Sequence, residues 1–187
     1  QPGELSSKKP EQSFTLENSS ISVSTNKDGT LNLLDKSNDA EYQNVAYFKD
    51  EGEAGHAWLH ESTPPVVTTR NSEAELTVTE HNDLYKEIRI RHKLELPAHL
   101  ETRKNGAGDS DTVQNTIDLF VGLHTSDTFV RLRVEVDNRA ESHRLRLMLP
   151  TRLAAEHSFG EGQFDVVKRT LERPDTSDWI EQPMYDF

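Results

Sequence analysis

Apolar and polar residues alternate along most of this chain with a period of two, the signature of strands that bury one face. The clearest run is 84–96, "LYKEIRIRHKLEL", where Ile88, Ile90, Leu94 and Leu96 share one side and Glu87, Arg89, Arg91, Lys93 and Glu95 the other. His92 falls on the apolar side and is expected to be a hydrogen-bonded or edge histidine, because polar groups in cores normally find a partner. Residues 113–123 place Ile117, Leu119, Val121 and Leu123 together, residues 128–136 do so with Val130, Leu132, Val134 and Val136, and 144–149 with Leu145, Leu147 and Leu149. The connections "HTSD" and "DNRAESH" have hairpin length, so these last three runs predict a three-stranded antiparallel meander with one face on a core and the other in water.

Upstream, residues 13–39 read as strand, strand, turn and strand, the turn being Asp28-Gly29 with positive φ expected at both residues. Residues 66–80 supply one or two further strands, and Pro64-Pro65 and Pro97 are expected to close neighbouring segments. "RLAAEH" (152–157) is the only helix candidate and is short. The Gly- and Asp-rich tract 101–112 predicts a mobile surface loop.

Composition narrows the class. With 187 residues, 33% apolar and 29% charged, the chain suits one β-domain with much exposed surface. A net charge of −12 opposes binding to nucleic acid. No apolar run is long enough for a membrane span. Residues 1–12 lack the apolar core of a secretory signal and read as a linker or excised domain edge. The final "WIEQPMYDF" keeps a strand-like pattern to the last residue, so 13–187 are expected to be a β-domain truncated from a longer polypeptide. Cysteine is absent, which leans towards a reducing, cytoplasmic setting.

The segment 50–60, "DEGEAGHAWLH", concentrates acids, glycines, two histidines and a tryptophan. His56 and His60 are four apart, but the glycines and the following Pro64-Pro65 oppose a helix. On a strand the pair would stand about 13 Å apart, too far to share an ion. No metal site is expected here. Glu51, Glu53, Glu61 and Asp165 could be nominated as a glycosidase carboxyl pair. In a chain with 33 acids such pairs arise by chance, so these residues are expected to be solvated strand-face and loop acids. No nucleophile elbow or phosphate loop occurs. Trp58 is open to two readings, a ring stacked on a sugar face or a plug at the end of the sandwich.

Four motifs in order resemble the β-domain that follows the catalytic domain in glycoside hydrolase family 38, the α-mannosidases. They are "LENSSISVSTNKDGTLNLLDKSN" (16–38), "YFKDEGEAGHAWLHESTPP" (47–65), "VEVDNRAESHRLRLMLPT" (134–151) and "GQFDVVKRTLERP" (162–174), with "QPMYDF" continuing the last. The resemblance implies an all-β fold, a large antiparallel β-sandwich of the galactose mutarotase-like or mannosidase type. It also implies a retaining, zinc-dependent enzyme acting on terminal α-mannosides. The nucleophile, general acid and zinc ligands of that family belong to the preceding α/β domain, so no catalytic residue and no metal ligand are expected in this segment. Two substrate contacts are implied. Trp58 occupies the slot of an aromatic facing the sugar, where relatives carry tyrosine, and Arg169 matches an arginine that points to the catalytic cleft. His143 and Arg144 are expected to brace the sheet or the domain boundary. Relatives often self-associate, so a homo-oligomer is a further expectation. The rival classes are a stand-alone carbohydrate-binding module and a purely structural sandwich.

Overall fold

The computed structural model describes residues 13–56, 60–70, 72–105, 111–172, 175, 178 and 179. The N-terminal quarter is an antiparallel meander in which β1 (Thr15–Glu17), β2 (Ile21–Thr25), β3 (Leu31–Asp35) and β4 (Ala40–Val45) lie side by side in chain order. The β2–β3 turn departs from the expected geometry. Only Gly29 takes a positive φ, 76°, while Asp28 stays on the ordinary side of the map and uses its carboxylate instead. Asp28 Oδ1 accepts from Thr30 N at 3.1 Å and from Thr30 Oγ1 at 2.7 Å, so a side chain completes a longer loop that a two-residue turn would not need.

A second sheet has the order β10 (Arg131–Asp137), β9 (Thr112–His124), β8 (Tyr85–Pro97) and β7 (Glu75–His81). The alternation in the sequence maps directly onto it: Ile88, Ile90, Leu94 and Leu96 of β8 and Ile117, Leu119, Val121 and Leu123 of β9 are all buried. His92 is buried among them at 2% exposure, on a central strand. Contrary to expectation, neither of its ring nitrogens has a hydrogen-bond partner among the described residues. It meets Phe48 edge-on, and the β2–β3 turn packs against it so closely that a Cβ on Gly29 would come within 2.6 Å of His92 Cε1.

The expected three-stranded meander does not form. β9 and β10 are paired, but β11 (His143–Met148) leaves them and pairs with β5 (Tyr47–Glu53), which also carries β6 (Ser62–Thr68). The side chain of Asn115 decides the crossing. Its Oδ1 accepts from the backbone of Arg139 at 2.9 Å and Ala140 at 3.2 Å, turning the chain out of the sheet just after β10. Glu141 N then bonds to Ala98 O at 2.9 Å and Ser142 adopts φ 47°, which aims β11 at the acids of β5.

Pro64 and Pro65 do not close a segment but lie inside β6, an edge strand, where a missing N–H breaks no ladder on the outer side. "RLAAEH" is irregular up to His157, which opens the β12–β13 ribbon (His157–Glu161 and Val166–Thr170). The short helix instead falls in the tract read as a loop, as α1 (Leu100–Asn105). A single apolar cluster joins the meander, β5 and the sheet of β7–β10, so the domain is an antiparallel β-sandwich. None of the helices among the described residues is long and apolar enough to cross a membrane.

Candidate functional site

The strand β5 reads Tyr-Phe-Lys-Asp-Glu-Gly-Glu, and period two puts Phe48, Asp50 and Gly52 on the same inward side. Asp50 is completely buried, and Glu51 nearly so at 3% exposure. Of the acids expected to be solvated, Glu61 and Asp165 are exposed and Glu53 is half-buried, but Glu51 is not solvated, because the neighbouring strand brings cations to meet it. Arg103 of α1 donates from Nη2 to Asp50 Oδ1 at 2.5 Å and from Nη1 to Pro65 O at 3.1 Å, with both side chains of the Asp50–Arg103 pair wholly buried. Gly52 makes this possible, since a Cβ there would lie 2.5 Å from Arg103 Cδ. The other Asp50 oxygen meets His143 Nδ1, and His143 Nε2 meets Asn138 Oδ1 at 2.9 Å. Asn138 in turn accepts from Asn115 Nδ2 at 2.8 Å, so one polar chain links α1, β5, β11 and the β10–β11 crossing.

Glu51 collects a second set. Arg144 and Arg146 both donate to Oε1, Arg146 at 2.6 Å. Ser62 Oγ donates to Oε2 at 2.9 Å, and Lys49 Nζ stands 3.6 Å from the same oxygen. Burial alone would raise the pKa of this carboxyl. The hydrogen bonds from Arg144 and Ser62 and the charges of Arg146 and Lys49 outweigh it and bring the pKa down to about 2. Glu53 closes the base of the β5–β6 connection: its Oε1 accepts from Gly55 N at 2.8 Å and Glu61 N at 3.0 Å, and its Oε2 meets His60 Nδ1. The expected bracing by His143 and Arg144 is thus present as contacts between β11 and β5.

Of the two residues expected to face a sugar, Trp58 lies outside the described residues. Arg169 sits on β13, opposite Ser158 of β12, with its guanidinium over Gly160. It belongs to a different sheet from the strands that carry the buried acids. Asp50 and Arg103 are not among the residues that the sequence motifs single out. Asp50 carried a signal, an acid in register with Phe48 on the inward face; Arg103, in a polar tract, carried none.

The described geometry holds charges in fixed places, and Glu51 is not poised as a general acid. A general acid needs a carboxyl whose pKa is raised, whereas Glu51 is driven the other way. Nor do three His, Asp or Glu side chains converge to hold a metal ion among the described residues. The carboxylate best placed to be a ligand, Glu51, is already taken up by two guanidinium groups.

Fold and charge cluster together define an antiparallel sandwich domain with internal ionic bracing. Residues 16–186 match the sequence profile of the "Glycosyl hydrolases family 38 C-terminal domain", and the chain belongs to that family. A protein of Halalkalibacterium halodurans named "Putative mannosylglycerate hydrolase" is 25% identical over 189 residues, covering 92% of this chain and 20% of that protein. The crystal structure of an alpha-mannosidase from Enterococcus faecalis V583 superposes with a TM-score of 0.78 at 22% identity, over 87% of this chain and 20% of the other. A second Enterococcus faecalis structure, of a protein in glycosyl hydrolase family 38, gives 0.75 at 21% identity, over 83% of this chain and 20% of that one. These two likenesses show the fold. The chain spans about a fifth of the length of each of these relatives.

Proposed function

We propose that this chain is the non-catalytic β-domain of a retaining α-mannosidase, an enzyme that hydrolyses terminal α-mannosides. In this reading the domain supports a catalytic domain of the same polypeptide and lends loops to the rim of its active site. The observation that carries the reading is the family match over residues 16–186 in a chain that spans only a fifth of its relatives. The chemistry of the buried acids supports it, because Asp50 and Glu51 are committed to arginines and so serve as struts rather than acid catalysts. Zinc, the cofactor implied by the family resemblance, is assigned in this reading to the catalytic domain, to which the resemblance also assigns the zinc ligands. The proposed setting is cytoplasmic.

At the rim, Trp58 would stack its ring on the apolar face of a mannose unit. Arg169 would offer fixed donors to vicinal hydroxyls or to a neighbouring carboxylate. Two measurements test the proposal. The 187-residue chain, purified alone, should release no mannose from an aryl α-mannoside; release would overturn it. In the full-length enzyme, Trp58→Ala should lower kcat/KM about ten-fold, the equivalent of one lost stacking contact, and Arg169→Lys should lower it as well. Unchanged kinetics in both variants would overturn the rim contacts, and a loss of thermal stability alone would assign the residues to bracing.

A further inference from the structure

β5 ends on Glu53, and residues 54–61 lead from it into β6, with Trp58 midway along them in the sequence. This span is longer than the tight turns whose backbone geometry sets their own course, so side chains must direct it. Glu53 is placed to do so. Its backbone N–H donates to Ser142 O at 2.8 Å, next to the start of β11. Its carboxylate takes both arms of the connection. Oε1 accepts from Gly55 N at 2.8 Å on the outgoing arm and from Glu61 N at 3.0 Å on the returning arm, and Oε2 meets His60 Nδ1. Ala54 N donates to Glu61 O at 2.9 Å and closes the same ring.

The returning arm is held at three consecutive residues. His60 and Glu61 meet Glu53, and Ser62 Oγ donates to Glu51 Oε2 at 2.9 Å. His60 Nε2 also stands 3.5 Å from Glu51 Oε1, so an imidazole only 12% exposed is wedged between two carboxylates. Further along, the β5–β6 ladder shifts register between Asp50 and Gly52, and Arg103 Nη1 pins the β6 side of that irregularity by donating to Pro65 O at 3.1 Å. Burial alone would raise the pKa of Glu53. The hydrogen bonds from Glu61 N, His60 and Gly55 N outweigh it and hold the carboxyl below its ordinary value. The group therefore stays ionised at neutral pH, and charge-assisted bonds of this kind are roughly twice as strong as neutral ones. Joining distant elements is the work of other acids: Asp50 meets α1 and Glu51 meets β11, whereas the Glu53 carboxylate bonds within its own connection.

We infer that Glu53 is a positioning residue, which by clamping both arms of the β5–β6 connection sets the placing of Trp58 against a mannose unit. The inference rests on the proposed rim contact of Trp58 and names the group on which that contact depends. A ring that stacks on a sugar needs such a clamp, since a misplacement of about 1 Å can cost up to about 100-fold in rate.

The test uses the full-length enzyme carrying Glu53→Ala, Trp58→Ala or both. Glu53→Ala should lower kcat/KM about ten-fold, as Trp58→Ala does. It should also speed hydrogen exchange over residues 54–62 while β8 and β9 keep the native rate. In the Trp58→Ala background it should bring no further loss, because the residue through which it acts is gone. Glu53→Gln keeps the size and one acceptor oxygen, so it should fall between native and Glu53→Ala in both measurements, and it replaces Glu53→Ala should that variant not fold. Losses that multiply to about 100-fold in the double variant would overturn the inference, and so would unchanged exchange over 54–62. If Trp58→Ala lowers kcat/KM and Glu53→Ala leaves it unchanged, the clamp is refuted and the rim contact stands. If Trp58→Ala itself leaves kcat/KM unchanged, the rim contact is refuted and the inference falls with it.

Discussion

Lowering the pH from 7 to 5 should destabilise this domain through His92. The imidazole is 2% exposed, both its nitrogens lack a hydrogen-bond partner among the described residues, and burial pushes its pKa from 6.5 to about 4. The carboxylates of Asp28 and Asp118 pull the other way but do not compensate. Because the folded pKa lies below the unfolded one, the unfolded chain takes up a proton first as pH falls. Stability is therefore complete above about pH 6.5 and declines down to about pH 4. The two pKa values give a loss of about 2 kcal/mol by pH 5 and about 3 kcal/mol below pH 4. With an m-value of about 2 kcal/mol per molar urea, the first figure moves the unfolding midpoint by about 1 M. Other groups titrate in the same window, so the quantity to read is the difference between the native chain and His92→Leu, each unfolded in urea at pH 7 and pH 5. The leucine variant should match or exceed native stability at pH 7, because it removes two buried unpaired nitrogens. It should also lose about 2 kcal/mol less between the two pH values. Parallel pH dependence in the two proteins, within about 0.5 kcal/mol, would refute the reasoning.

Asp50→Asn removes the carboxylate bonded to the buried Arg103 guanidinium and weakens the His143 contact; urea unfolding should show a loss of about 3–5 kcal/mol. Gly29→Ala forces a side chain into a φ of 76° and against His92 and Ile90. It should cost roughly 2 kcal/mol or more, read as a lower thermal midpoint, and an unchanged midpoint would mean that the turn relaxes away from the sheet. Glu51, held at a pKa of about 2, should keep its contribution above pH 4.5 and lose it as pH falls through 2. Glu51→Gln should flatten that acid limb in a pH-dependent unfolding series.

The sequence by itself determined the inward faces of β8 and β9, though not that of β10, whose alternating Leu132, Val134 and Val136 are exposed. Alternation is a local property, and in β8 and β9 the buried positions are the alternating apolar residues, one histidine, one asparagine and, off the alternation, Pro97 and Gly122. The family was legible in the same way, from four short motifs in order. Strand partners were not legible. Hairpin-length spacing pointed β11 at β10, and only the folded chain shows Asn115 turning the backbone away and the acids of β5 receiving β11. The buried charges follow the same rule. An acid beside Phe48 in register carries a hint of burial, but whether it is tolerable depends on Arg103, fifty-three residues away on a helix that the sequence presents as loop. Local pattern fixes which face of a strand turns inward, because side-chain direction alternates along the backbone. Pairing and charge compensation are settled only when distant segments meet, because their energies reside in contacts that no single stretch contains.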